Sequence, residues 1–430
     1  MSIYLEKFIW VFFCLLFFSE TIYGEIPTEK DTAKIRLLPE IIVSEKFQRS
    51  EIRSTTPLQI LSAKKIENLN VLQVSDAIKY FSGVNVKDYG GIGGLKTVSV
   101  RSFGAEHTAV SYDGITLTDC QTGQIDLGRF SLDNVDMLSL NNGQGDNIFL
   151  PARFFASSSV LNIRTLEPSF GEKEKLKGKI SLKTGSFGLI NTSLLLETKI
   201  NRNVSATFGG EWLSANGEYP YRVTYGTQEG DSSSIEIRKN TDVATLRLEG
   251  TIYANFAWGG SGYLKSYYYS SERGLPGAVI YYMNENTNHQ RSNDRTFFTQ
   301  AHFEKKISPL WSFQTNAKYH NGFLHYLDPN YNNSDGKIDN TYLQEEYYIS
   351  ASLLFKAFEK LSFSFSTDYS LNTLEANLPN FAYPKRNTVL SVFNAKYVSN
   401  QWLATAGCLG TLVDGSVKNG ETTENQQHIS

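Results

Sequence analysis

The sequence predicts an antiparallel β-barrel of the outer membrane preceded by a small α+β domain, and three observations carry that prediction. Lys7 precedes the apolar run FIWVFFCLLFF, Phe8 to Phe18. That run has the length of a signal-peptide core and is too short to cross a bilayer as a helix. No later segment is continuously apolar, so an exported chain that enters a membrane must do so with strands. From about residue 175 onward, apolar and polar residues alternate over runs of ten or more.

Composition agrees with this class. The 430 residues allow two or three domains or one large all-β body. A net charge of -3 carries no basic excess, so nucleic acid is not an expected partner. Gly (33), Tyr (24) and Phe (27) are abundant, against three Met and three Cys, which favours strands over helix bundles or a disulfide scaffold. Cys14 lies in the apolar run, leaving Cys120 and Cys408. Two cysteines so far apart give no metal spacing, and two isolated thiols are expected rather than a disulfide.

Taken in order, residues 1–24 read as a signal peptide with a cut after Gly24, although Ile22 is larger than such sites prefer. Cys14 sits mid-run without small residues ahead of it, so a lipoprotein is not expected. Residues 25–50 form a polar tether interrupted by Glu40, Ile41, Ile42, Val43 and Ser44. A lone β-prone run on a tether is an aggregation hazard unless something pairs with it.

Residues 51–170 have a mixed texture. The stretch SAKKIENLNVLQVSDAIKYFSGVNV predicts a short helix capped by Ser75, with Ala77, Ile78 and Phe81 on its apolar face and Gly83 ending it. KTVSVRSFG and HTAVSYDGITL read as two strands around a turn, with Asp113-Gly114 as a second turn. DNVDMLSLNNGQ and SVLNIRT add two more strands. Arg101 reads as a buried charge that needs a carboxylate such as Asp113 or Asp133.

Residues 171–430 carry the long alternations. Ala244, Leu246, Leu248, Gly250, Ile252, Ala254 and Phe256 alternate with Thr245, Arg247, Glu249, Thr251, Tyr253 and Asn255. Phe363, Phe365, Thr367 and Tyr369 alternate with Ser364, Ser366 and Asp368 in the same way. A period of two leaves one face apolar and one wet. A soluble sandwich alternates too, but its strands are usually five or six residues long, whereas membrane-crossing strands need roughly 9–11. The clusters KSYYYSS, EEYYIS and FAYP predict an interfacial aromatic girdle. Connections near 201 and 308 are short, while those through 214–240, 270–294 and 327–340 are long and polar.

No HExxH, GxSxG or zinc-type cluster is present, so no catalytic residue, metal site or cofactor is expected. GGIGGL, Gly90 to Leu95, lacks the following Lys-Ser/Thr of a phosphate loop and reads as a mobile loop. DPNYNNSDGKIDN, 328–340, is oxygen-rich without the spacing of an EF-hand, and reads as an ordinary polar loop rather than a calcium site.

These stretches together resemble the TonB-dependent outer-membrane receptors. EIIVS, 40–44, looks like the TonB box. LNVLQVSDAIKYFSGVNV, KTVSVRSFGAEHTAVSYDGITL and DNVDMLSLNNGQGD with SVLNIRT are similar to successive segments of the plug, and the resemblance spans nearly all of 38–166. QTGQIDLGRFSLDNVDMLSLNNGQ and SSERGLPGAVIYYMN are similar to the vitamin B12 receptor-like branch, with a siderophore or other chelate receptor as the alternative. FLPARFFASSSVLNIRT departs from the family in replacing most glycines of the closing plug motif with Ala and Ser.

The resemblance implies uptake of a scarce large ligand, cobalamin-like or a metal chelate, driven by a TonB energy-transducing complex that grips Glu40, Ile41, Ile42, Val43 and Ser44 by strand addition. It implies a ligand site of apical plug and barrel loops, drawn from Tyr89, Gly91, Gly93, Asp119, Gln121, Gln124, Arg273, Leu275 and Pro276. It places Arg101 and Asp113 at the plug–barrel interface, and its other partner classes are outer-membrane lipid and a surface lipoprotein. An outer-membrane hydrolase and a non-transporting surface binding protein are the rival readings. About eleven strand candidates lie between 177 and 413, half of the family's roughly twenty-two. With the polar ending GSVKNGETTENQQHIS, this predicts an incomplete barrel, from an N-terminal fragment or a truncated gene product.

Overall fold

The computed structural model describes residue 54 and residues 56–225, 232–276, 289–418 and 426–429. The signal run, Cys14, the tether and the strand-prone Glu40–Ser44 lie outside the described residues.

The small domain is built from short pieces. Strand β1 (Leu58–Ser62) runs straight into helix α1 (Ala63–Leu69), an element not expected from the sequence, which ends where Asn70 turns left-handed at φ 49°. Helix α2 (Val74–Ala77) continues as one 3-10 turn through Tyr80. Ala77, Ile78 and Phe81 are buried, as the apolar face requires, and the chain leaves through Gly83 at φ 76°. Its cap differs from expectation. Gln73 is the N-cap and Ser75 is fully buried inside the helix. The Val74 amide, one of the free donors of the first turn, donates to the Phe130 carbonyl at 3.2 Å, so a tertiary contact satisfies it.

Strands β2 (Val84–Asp88) and β3 (Lys96–Val100) form a hairpin across the glycine loop. β4 (Thr108–Tyr112) reverses at Asp113 and Gly114, both left-handed, into β5 (Ile115–Leu117), while β6 (Val135–Asn142) and β7 (Ser159–Thr165) complete a five-stranded sheet. Its order is β1-β6-β7-β4-β5, with β4 and β7 parallel. The expected pairing of β3 with β4 is not formed; β3 pairs with β2, and β4 lies between β7 and β5. Two left-handed residues, Arg101 (φ 51°) and Ser102 (φ 67°), swing the chain away after β3. Val74, Ile78, Val100, Leu138, Leu140, Leu161 and Ile163 fill the core between sheet and helices.

The second body is a twelve-stranded antiparallel wall among the described residues. It runs from β8 (Leu176–Gly185), β9 (Leu189–Lys199) and β10 (Val204–Ala215) to β13 (Val243–Asn255) and β14 (Ser261–Gly274). It continues through β15 (Arg291–Lys306), β16 (Trp311–Asp328), β17 (Ile338–Phe358), β18 (Leu361–Ala376), β19 (Lys385–Val398), β20 (Leu403–Ser416) and β21 (Gln426–Ile429). β8 and β21 are its outermost described strands, so the sheet is open. Between β10 and β13 the chain makes a separate hairpin, β11 (Tyr219–Tyr225) with β12 (Ser232–Arg238).

The wall inverts the burial rule of a water-soluble sheet. Along β13, Arg247, Glu249 and Thr251 are buried while Leu246 and Ile252 are exposed. Along β18, Ser364, Ser366 and Asp368 are buried while Phe365 and Tyr369 are exposed. The polar face is turned onto the small domain and the apolar face outward, which is the arrangement a lipid-facing strand requires. No described helix is long and apolar enough to cross a membrane.

The two ends of the wall differ. Connections 200–203, 256–260, 307–310, 359–360 and 399–402 are short and lie at one end; 329–337 and 377–384 lie at the other, with the last residues of β14 and the first of β15. Exposed Trp258, Trp311 and Trp402 mark the short-turn end. Eight residues along β16 from Trp311, the outward ring of Tyr319 packs on Tyr347 at 5.0 Å, which is roughly 26 Å along the strand. That separation is close to the height of a lipid-facing band. The expected girdle is thus only partly right. Tyr347 points outward, whereas Tyr267, Tyr269 and Tyr348 are buried on the inner face, because neighbours in a strand point to opposite sides.

Candidate functional site

Three buried ionic clusters seat the small domain on the wall, and each joins residues distant in sequence. In the first, Asp113 receives the Thr165 amide (2.7 Å) and hydroxyl (2.8 Å), which fixes the β4–β5 turn. The Lys265 ammonium of β14, with no exposure, reaches Asp113 and Glu249 of β13, each at 2.5 Å, and the Thr165 hydroxyl at 2.8 Å. One ammonium between two carboxylates leaves an excess negative charge. The Tyr112 hydroxyl answers it by donating to Glu249 at 2.6 Å.

In the second cluster, Arg247 pairs with Glu211 of β10 at 2.7 Å and donates to the Arg129 carbonyl, which also receives the Tyr267 hydroxyl at 2.6 Å. The Ser131 hydroxyl bonds Glu211. In the third, Glu346 of β17 lies between Lys318 of β16 (2.6 Å) and Arg153 (2.8 Å), and accepts from the Thr118 hydroxyl. Asp368 receives the backbone amides of Ala152 (3.0 Å) and Arg153 (2.8 Å). Breaking such a pair leaves an uncompensated buried charge, so these clusters lock the register between the bodies.

Apolar contacts accompany the charges. Tyr112 and Phe130 pack onto the stacked pair Tyr267 and Phe298. Phe154 and Phe155 sit on Leu390, Val392 and Leu409 at the inner face of β19 and β20. The segment whose glycines are replaced by Ala and Ser is therefore a 3-10 turn, Ala152–Ala156, that places two phenylalanines against the wall.

At the end with the long connections, the β2–β3 loop meets the wall. Asp88 accepts the Gly90 (3.1 Å) and Gly91 (2.8 Å) amides, and the Tyr89 amide bonds the Leu95 carbonyl. A Cβ on Gly93 would come within 2.5 Å of Val243, so only glycine lets the loop lie this close to β13. Ile92 packs beside Val243, Leu189 and Leu213. Arg273 donates to the Gly93 carbonyl at 2.8 Å and pairs with Asp294 of β15 at 3.0 Å. Loop and wall line an open cavity of about 390 Å³.

The structure brings Tyr89, Gly93, Arg273, Leu275 and Pro276 together around this cavity. Gly91, exposed at φ 71°, shapes the same loop but does not line the cavity. Asp119, Gln121 and Gln124 belong to a neighbouring loop. Asp119 accepts from Gln344 at 2.9 Å and from the Gln121 amide at 3.1 Å, while Gln121 is exposed and Gln124 half-buried. Beside them the Cys120 thiol receives a bond from Asn372, and burial pushes it up to about 11. Cys120 and Cys408 are both free thiols.

Arg101 requires a correction. It is exposed in the left-handed turn after β3, not buried at the interface. Asp113 is met by Lys265 and Asp133 by Lys183 of β8 at 2.8 Å. Sequence reasoning missed Lys265, Lys318, Glu346 and Arg153. The available signal was a charge on the wet face of an alternating strand, as at Lys265 and Glu346.

Comparison with known proteins accounts for this arrangement. Residues 50–149 match the family described as TonB-dependent Receptor Plug Domain. The chain carries a TonB-dependent receptor plug. Its sequence is 22% identical over 209 residues to the vitamin B12 transporter BtuB of Vibrio vulnificus (strain YJ016), covering 49% of this chain and 32% of that protein. The FrpB iron transporter from Neisseria meningitidis (F3-3 variant) shares the fold with a TM-score of 0.68 at 10% identity, over 86% of this chain and 60% of that one. The ferripyoverdine receptor of the outer membrane of Pseudomonas aeruginosa, bound to ferripyoverdine, matches with a TM-score of 0.60 at 12% identity, over 86% and 54%. This chain thus spans about a third of the curated relative's length and little more than half of each solved receptor. Plug inside, polar wall face inward and apolar face outward is the fold of outer-membrane β-barrel receptors.

Proposed function

We propose that this chain works in the outer membrane as a receptor for a scarce, large ligand, cobalamin-like or a metal chelate. Import is driven by a TonB-class partner pulling on Glu40–Ser44. The observation that carries the reading is the cavity shared by the plug loop Tyr89–Leu95 and the wall segment Arg273–Pro276. A ligand held there touches both the element that moves and the element that stays, so its arrival can be felt by the plug. The reading is that of a receptor rather than an enzyme.

The test is uptake by cells producing the chain, with and without residues 40–44, and with Arg273→Ala. Uptake that needs both the five residues and Arg273 supports the proposal. Binding that survives deletion of 40–44, with no uptake in either form, favours a non-transporting surface binding protein. Uptake that is indifferent to the deletion contradicts the proposed mechanism. Turnover of lipid substrates would favour the hydrolase reading.

A further inference from the structure

The cavity also carries information about the charge of what it binds; this rests on the receptor reading above and extends it. Among the described residues, two that line it are ionic, Asp242 and Arg273, and each is paired with an opposite charge. Asp242 is held by both guanidinium arms of Arg291, at 2.8 and 2.9 Å. Arg273 donates through one terminal nitrogen to the Gly93 carbonyl and sets the other 3.0 Å from Asp294, which is 5% exposed on its side chain, while its buried Nε has no hydrogen-bond partner among the described residues. The rest of the lining is dominated by aromatic and apolar groups, among them Tyr89, Tyr326, Tyr342 and Leu324.

An anionic ligand gains affinity where guanidinium or ammonium groups are free to meet it. Here it would have to draw Arg273 away from Asp294, leaving that carboxylate as an uncompensated buried charge. A neutral ligand with a flat or ring-bearing face faces no such conflict. Tyrosine supplies large contact area with a hydroxyl at the edge, which suits a face of rings rimmed by amides or hydroxyls. The volume, about 390 Å³, is that of a drug-sized site, so it takes one ring-bearing face of a large ligand and not the whole of it. The cavity is walled on one side by a plug loop that lies so close to β13 that a Cβ added at Gly93 would meet Val243.

We propose that this site selects an electrically neutral, ring-bearing ligand and discriminates against polyanionic chelates, with the Arg273–Asp294 pair as the discriminating element. Asp294 is the positioning residue, since it acts through Arg273.

The experiment measures equilibrium binding of three probes to the full chain in outer-membrane vesicles. Cyanocobalamin and ferrichrome are neutral, and ferric enterobactin is trianionic. The expected result is preference for a neutral probe over the anionic one, with an affinity that does not change with salt. Asp294→Asn frees Arg273 and is expected to shift the anionic-to-neutral preference by tenfold or more, and to introduce a salt dependence. Asp294→Glu should restore the native preference. Tighter, salt-sensitive binding of the anionic probe by the native chain overturns the inference and leaves the receptor reading standing. Failure of all three probes, with the plug still resistant to protease, overturns both.

Discussion

Replacing Lys265 by Met removes the one cation that lies between Asp113 and Glu249. The ammonium has no exposed surface, and the two carboxylate side chains are 10% and 7% exposed, so water cannot take its place. Met matches the volume of the lysine stem, which confines the change to charge. Removing one partner of a buried pair costs about 3–5 kcal/mol. At about 1.4 kcal/mol per factor of ten, that raises the population of unseated plug by roughly two to three and a half orders of magnitude. Thr165 and Tyr112 still donate to the two carboxylates, which places the effect toward the lower bound. Amide hydrogen exchange across β4, β5 and β7 of the full chain reads this directly. Those amides should exchange faster by the stated factor, while β18 and β19 stay protected. The double variant Lys265→Met with Glu249→Gln removes a stranded charge and should recover a large part of the loss, giving strong non-additivity in the cycle. A single variant with unchanged exchange in β4 and β7, or additive behaviour, would refute the claim that the buried charges hold the plug.

Gly93→Ala drives a Cβ to 2.5 Å from Val243; it should cost about 1–3 kcal/mol and weaken ligand binding without altering the wall, as calorimetry and a binding isotherm will show. Asp133 is bonded by Lys183, and although burial pushes its carboxyl up, the bonds from Lys183 and Ser193 and the lysine charge hold it below the ordinary carboxylate range. A depressed native value gives stabilisation that is complete above the unfolded value of about 3.9 and is lost as pH falls through the native value. Asp133→Asn should therefore loosen the plug by about 1–3 kcal/mol at neutral pH. Its difference from the native chain should vanish in acid, and a difference that persists there contradicts the assignment. Ile252→Arg places a charge on the outward face, where Ile252 is 42% exposed; assembly into bilayers should weaken by about 2–4 kcal/mol if the site is near the midplane. Unimpaired insertion would show that this face does not meet lipid.

Much of the fold was legible because a period of two is local. The alternation through 244–256 states which residues share a face, and in β13 those faces are realised from Ala244 to Ile252. Cavity residues such as Gly93 and Arg273 were legible only through family resemblance, since nothing in their own composition marks them. The sequence misled where a local cue had a tertiary answer. Ser75 looked like a cap, yet the helix begins earlier, with Gln73 as N-cap and its carbonyl taking the Asp76 and Ala77 amides. Arg101 looked buried because it follows an apolar strand, yet two left-handed residues turn it out to solvent.

What the sequence by itself determined is therefore periodicity: alternating strands, short turns against long loops, and the texture change between plug and wall near residue 170. Only the tertiary structure decided which charges meet. Asp113 finds Lys265, and Arg153 finds Glu346 across 193 residues. Periodicity assigns a side chain to a face, but an ion pair needs two faces brought within about 3 Å, and that follows from the register of wall strands and from where the plug rests. The same packing, with Gly93 lying against Val243, brings the plug loop to the wall beside the cavity.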